Sequence, residues 1–152
     1  MKSTLFFKTL AFALFLLFTA PGLQTAWAQK APKMNILIHV TTGPENPTKA
    51  ALAFLVARTA AEEGHTVSLF LAGDAVQLIR DNVLDNLTGL GTGKLREHFD
   101  VLVKAGAKFY LSGNSSKARG VTDADLTNKP ATFALPNVLV KLLIENDKSL
   151  TY

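Results

Sequence analysis

No cysteine occurs anywhere in the 152 residues. That absence excludes disulfides, thiolate metal sites and persulfide carriers together, because each needs a cysteine sulfur. A basic run is missing too, as is any basic stretch interleaved with aromatics, so nucleic-acid binding has no electrostatic footprint. Histidine is scarce. His39, His65 and His98 share no ligand spacing such as His-x-x-x-His, and no metal site is expected. Gly89, Gly91 and Gly93 precede Lys94 but fit neither phosphate-binding pattern: Thr88 stands where a phosphate loop needs its first glycine and Leu95 where it needs Ser or Thr. The dinucleotide pattern fails because Lys94 replaces its third glycine. These glycines are expected to confer mobility only, and no cofactor is expected. Residues 29–152 contain no internal repeat and no low-complexity segment.

What is present begins with a leader pattern. Lys2 and Lys8 precede an apolar run over residues 10–20 broken only by Thr19, Pro21 and Gly22 interrupt it, and Ala26-Trp27-Ala28 supplies small residues at the two positions a signal peptidase reads. Cleavage before Gln29 is expected, and with it a periplasmic or secreted location. The alternative, an uncleaved anchor, needs about 20 apolar residues, more than this run holds before Pro21. No membrane span is expected once the leader is removed. Of the 16 basic residues, Lys2 and Lys8 leave with the leader, so 14 remain against 12 acidic ones and the net charge falls to +2. Residues 29–33 read as a short polar tether, and residues 34–152 as one domain held by an ordinary hydrophobic core.

Along that domain, Asn35-Ile36-Leu37-Ile38-His39-Val40 is a near-continuous apolar strand of the kind buried on both faces, which points to a parallel sheet. Asn46 is the candidate N-cap, with Pro47 at the first position, of an alanine-rich helix reaching about Glu63 and ended by Gly64. Residues 66–71 form a second strand. A short amphipathic helix follows with Ala75, Val76 and Ile79 on its apolar side and Asp74 and Gln77 at capping-box spacing. Residues 82–93 read as a flexible surface loop. Leu95, Phe99, Leu102 and Val103 then repeat at helical spacing up to Gly106, and residues 108–111 make a third strand. Residues 121–129 read as another loop. Pro136 opens a helix with Val138, Leu139, Leu142 and Leu143 inward, and residues 149–152 close the chain as a short strand. Alternating strands and helices with right-handed crossovers imply an α/β fold: a three-layer α/β/α sandwich around a mostly parallel, roughly five-stranded sheet, flavodoxin-like in general form.

In such a sheet ligands gather at the carboxyl ends of the strands. Two loops qualify there. Residues 41–46, with Thr41, Thr42, Gly43 and Asn46, follow the first strand; residues 112–116, with Ser112, Gly113, Asn114, Ser115 and Ser116, follow the third and lead toward Lys117 and Arg119. Together they are the candidate pocket for a small anion, against the plainer reading that Asn, Gly and Ser satisfy a turn and cap a short helix. His39, near the carboxyl end of the first strand, joins the candidate set, although a strand histidine is more often a hydrogen-bonded structural residue. Ser112 does not sit in a nucleophile elbow, since the glycines that motif needs are absent on either side, and no catalytic residue is assigned.

The run Gly-Ala-Lys-Phe-Tyr-Leu-Ser-Gly-Asn-Ser-Ser-Lys-Ala-Arg-Gly over residues 106–120 resembles the segment of the DsrE/DsrF-like family in which a strand leads into a cysteine and then a helix ending in Ala-Arg-Gly. Gly-Pro-Glu-Asn-Pro over residues 43–47 and the closing residues 142–152 are similar to the same family, so the resemblance covers nearly the whole domain. It implies the family's sulfur-relay-like fold and a homo-oligomer, with a pocket beside the cysteine position. Ser112 stands at that position, and a hydroxyl cannot carry a sulfane sulfur. The triplets Asn86-Leu87-Thr88 and Asn114-Ser115-Ser116 match a glycosylation acceptor but carry no weight in a chain of the bacterial kind the resemblance implies.

Three functions remain in play. The leading expectation is a domain of unassigned activity that binds a small anionic or sulfur-containing ligand, or a partner, without persulfide chemistry. The alternatives are an enzyme or accessory subunit acting on a sulfur compound through Ser112, His39 or Arg119, and a structural subunit of a larger exported assembly.

Overall fold

The computed structural model describes residues 32–152; the expected leader lies outside the described residues. Strand β1 (Asn35–Val40) buries Ile36, Leu37, Ile38 and Val40, which belong to both faces, so it has to be an interior strand. Helix α1 (Pro47–Glu62) starts as its sequence dictates: the Asn46 side chain accepts a hydrogen bond from the Lys49 amide at 3.1 Å, and Pro47 opens the first turn. Its buried stripe is alanine except for Phe54, which lets the helix lie close to the sheet. Beyond Gly64 come β2 (Thr66–Leu71), a 3-10 helix (Gly73–Ile79), α2 (Asp81–Asn86), the two-residue strands β3 (Thr88–Gly89) and β4 (Gly93–Lys94), and α3 (Leu95–Lys104). The remainder is β5 (Lys108–Ser112), α4 (Gly113–Ala118), α5 (Asp123–Leu126), β6 (Ala131–Ala134), α6 (Pro136–Glu145) and β7 (Lys148–Thr151).

The main sheet has five parallel strands in the order β6-β5-β2-β1-β7. This order decides where the helices go. From β1 through β2 and β5 to β6 the chain steps in one direction, and right-handed crossovers put the connecting helices on one face. Only the step from β6 back past β1 to β7 reverses, and it carries α6 to the opposite face. The first face holds the larger core, where Ile36, Ile38, Leu69 and Leu71 meet α1 and α3, and Phe109 sits 4.9 Å from Phe99 and 6.2 Å from Phe54 between ring centroids. On the second face the buried residues are Leu37, Phe70, Ala134 and Leu142, with Val138 and Leu139 of α6 packed against them.

Several expectations are corrected at this level. Residues 82–93 are not a flexible loop: they form α2 and a β3–β4 hairpin fastened to α1, where the Thr48 hydroxyl accepts from the Leu90 amide at 3.0 Å. Gly89 is there for close approach, since a Cβ would lie 2.9 Å from that of Ala51 and 3.0 Å from the Pro47 carbonyl. His98 is buried, and its Nε2–H donates to the Thr92 carbonyl at 2.7 Å, which fixes the tautomer and ties the hairpin to α3. Residues 121–129 contain α5, with a capping box between Thr122 and Asp125. The capping box expected from Asp74 and Gln77 does not form, because Asp74 turns to Arg119 instead. Leu143 is exposed: a helix offers one stripe to a sheet, and Val138, Leu139 and Leu142 already occupy it. Strand β6 had no expectation at all, being a four-residue edge strand between two prolines.

Candidate functional site

Because β2 lies between β1 and β5, the two loops picked from the sequence are not direct neighbours. They stand two strand spacings apart, about 10 Å, and the turn after β2, Gly73 and Asp74, fills the gap. Gly43 is pressed against that turn: a Cβ on it would come within 2.5 Å of the Asp74 carbonyl oxygen. On the other side the Gly73 amide donates to the Ser115 hydroxyl at 3.0 Å. Loop, turn and α4 therefore form one continuous ridge along the carboxyl end of the sheet.

Most polar groups on this ridge are already partnered within it. The Gly43 amide donates to Glu45 at 2.8 Å. Ser112 ends β5 and accepts, through Oγ, from the Ser115 amide at 3.4 Å, so it is the N-cap of α4. The Arg119 Nε donates to Asp74 Oδ1 at 2.7 Å, and an incoming anion would have to displace that carboxylate. The turn after α4 is fixed from below by Arg80, whose Nη2 donates to the carbonyls of Arg119 at 2.9 Å and Gly120 at 2.5 Å. Gly120 has φ 64°, the left-handed conformation that glycine enters at no steric cost, which is why Arg-Gly closes this helix. Thr41, Asn46 and Asn114 are exposed, Thr42 and Gly113 half-buried. Thr41 is also engaged, its amide and hydroxyl donating to the Tyr152 carbonyl at 2.8 and 2.9 Å.

His39 belongs to another part of the molecule. Its ring lies on the second face, edge-on to Phe70 at 5.9 Å, with Nε2 buried and unpartnered. Burial pushes its pKa below the ordinary histidine value. It forms no hydrogen bond with Ser112, so the pair a serine nucleophile needs is not assembled. The sequence reading missed Gly73, Asp74 and Arg80, while Ser115 lies in the second loop it chose. Gly73 and Asp74 follow from one signal: β2 also ends at this rim, and its turn joins the ridge once the strand order is known.

Two concavities flank the ridge and the helices beneath it. One, of about 470 Å³, lies beside α4 between Gly113, Ser116, Val121 and Phe133, so that of the second chosen loop Gly113 and Ser116 line it. The other, of about 390 Å³, is bounded by Arg96, Phe99, Asn128 and Lys129 around an ion network in which Arg96 binds both Asp81 and Asp85 at 2.7 Å. Hydrogen bonds from Arg96 and then Lys129 hold the Asp81 carboxyl below the usual carboxylate range. This network ties α2 and α3 to the segment before β6. Among the described residues no group of three or more His, Asp or Glu side chains is placed to hold a metal ion.

A family model described as the DsrE/DsrF-like family matches residues 34–152. No functionally curated protein matches. Among solved structures, the ychN protein from E. coli aligns with a TM-score of 0.63 at 17% identity, covering 78% of this chain and 99% of that one. A protein of unknown function from Methanobacterium thermoautotrophicum aligns at 0.58 with 14% identity, over 79% of this chain and all of that one. A conserved protein of unknown function from Bacteroides thetaiotaomicron gives 0.54 and 16% identity, over 78% and 94% of the two chains. At these identities the likeness concerns the fold.

Proposed function

The chain belongs to the DsrE/DsrF-like family, and from that premise we propose that it is an exported assembly domain that binds a partner polypeptide instead of relaying sulfur. The observation that carries this reading is Ser112. It occupies the end of β5 where the family resemblance puts a cysteine, and its hydroxyl is used to cap α4. Nothing in the chain can form a persulfide, because there is no thiol. A small-anion pocket has less support than a partner surface, since Arg119 is neutralised by Asp74 and Gly73 is spent on Ser115. Export is supported by the leader pattern of residues 1–28.

Native mass spectrometry of the protein purified from the exported fraction of its source organism tests this. A stoichiometric companion chain, including further copies of the same chain, is the expected result. A bare monomer carrying a discrete small-molecule mass would replace the partner with a ligand, and a bare monomer without one would overturn both.

A further inference from the structure

A buried serine inside a helix usually returns its hydroxyl to the carbonyl four residues back. Ser116, in the middle of α4, does not. It is 1% exposed, and its Oγ has no hydrogen-bond partner among the described residues. A buried hydroxyl left unpaired is destabilising, and nearly all such groups in folded proteins have a partner of some kind. Ser116 also lines the concavity of about 470 Å³ beside α4, together with Val121 and Phe133. Polar groups next to it are already used: the Thr122 amide donates to Asp125 at 2.9 Å, and the Gly120 carbonyl accepts from Arg80.

This concavity is not the place where the family resemblance puts a cysteine. Phe133 packs with the core of the first face, whereas Ser112 pairs in the sheet with Ala134, which is buried on the second. Neither Ser112 nor Arg119 lines the space. We infer that it is a binding site for a small neutral molecule with an apolar ring-sized body and one hydroxyl or carbonyl oxygen, which completes the hydrogen bonding of Ser116. The apolar walls select the body, and the serine selects the oxygen. Water suits the place less well, since an ordered water takes roughly two to four polar partners and here Val121 and Phe133 stand beside the hydroxyl. The charges select a neutral molecule. Lys117 and Asp123 both line the space and are exposed, one of each sign, so no net charge draws in an ion. The volume also lies within the roughly 300–1,000 Å³ of small-molecule sites. This site goes beyond the partner-binding role proposed above and does not depend on it.

Two probes that differ only by a hydroxyl test it. In proton–nitrogen correlation spectra of the purified protein, p-cresol should shift the amides of Ser116, Val121 and Phe133 saturably, and toluene, which leaves Ser116 unpaired, should bind about tenfold more weakly. Benzoate, a ring that carries a charge, should give no saturable shift there. Ser116→Ala removes the hydroxyl without breaking a hydrogen bond of the chain, so it should fold like the unmodified protein and bind p-cresol and toluene within about twofold of each other. Equal affinity of the unmodified protein for both probes overturns the inference, and that comparison needs no variant. So does a preference for p-cresol that survives Ser116→Ala. The absence of any saturable shift, shifts confined to the concavity around Phe99 and Lys129, or tighter binding of benzoate than of p-cresol would each overturn it as well.

Discussion

On one face of the sheet Ile36, Ile38, Leu69, Leu71, Phe109 and Leu111 are sealed beneath α1, α3 and the segments joined to them, while on the other, among the described residues, Leu37 and Phe70 lie under the single helix α6. The difference comes from connectivity and not from the strands, whose residues alternate between the faces. Three consecutive crossovers advance in one direction and stack their helices on the first face, whereas a single reversing crossover supplies the second. The first face is therefore a finished core with stacked aromatic rings. The second is thin and is roofed by a helix whose own outer side is apolar. Stability should concentrate on the first face, and adaptability on the second.

Truncating one large side chain on each face is the strongest way to break this contrast. Phe109→Ala removes a ring touching both Phe54 and Phe99 in a region with no room to collapse, and should cost about 3–5 kcal/mol. Leu142→Ala opens its space beneath one short helix that can settle inward, and should cost about 2 kcal/mol, the low end for such a change. Urea unfolding of both variants decides it. Equal losses would mean that the second face is packed as tightly as the first.

The same connectivity explains how much could be read from the sequence. β1, α1, β2, α3 and β5 were legible because each has a local signal: an apolar run of strand length, Asn46-Pro47 as a helix start, Gly64 and Gly106 as helix stops. Strand β6 has none, since Ala131–Ala134 becomes a strand only by pairing with β5. The β3–β4 hairpin was hidden because a glycine-rich run looks mobile until Thr48 and His98 are seen to hold it. At the candidate site, Ser112 and its helix were legible from the run ending in Arg119-Gly120. Asp74 was not, because its place between the two chosen loops depends on β2 lying between β1 and β5, which is a long-range fact.

A smaller effect tests the ridge at that point. Asp74 and Arg119 are partly exposed, so breaking their pair should change stability by no more than about 1 kcal/mol. Its consequence for binding should be larger. Asp74→Ala leaves the guanidinium free on a rim of polar loops, and sulfate should then shift the Arg119 Nε–H resonance saturably, whereas the unmodified protein should show no such shift. The same saturable response with Asp74 in place would mean that the ridge is an open anion site and that the carboxylate does not guard it.

The smallest expected effect belongs to the thin face. His39 is held below its ordinary pKa by burial, so the folded chain takes up a proton there less readily than the unfolded chain does. Stability from this group is therefore fully present above the unfolded value, about 6.5, and is lost as the pH falls from there toward the depressed folded value. Asp81 contributes in a separate and more acidic window, because its carboxyl is held below the usual range and its contribution goes only as the pH falls through that lowered value. His39→Phe removes the titration and supplies a ring beside Phe70. Its urea midpoint should change less than that of the unmodified protein between about pH 7 and about pH 5, the interval in which an ordinary histidine titrates. Parallel midpoints across that interval would mean that the ring reaches solvent without cost, and that α6 covers its face even more loosely than the packing of Leu142 implies.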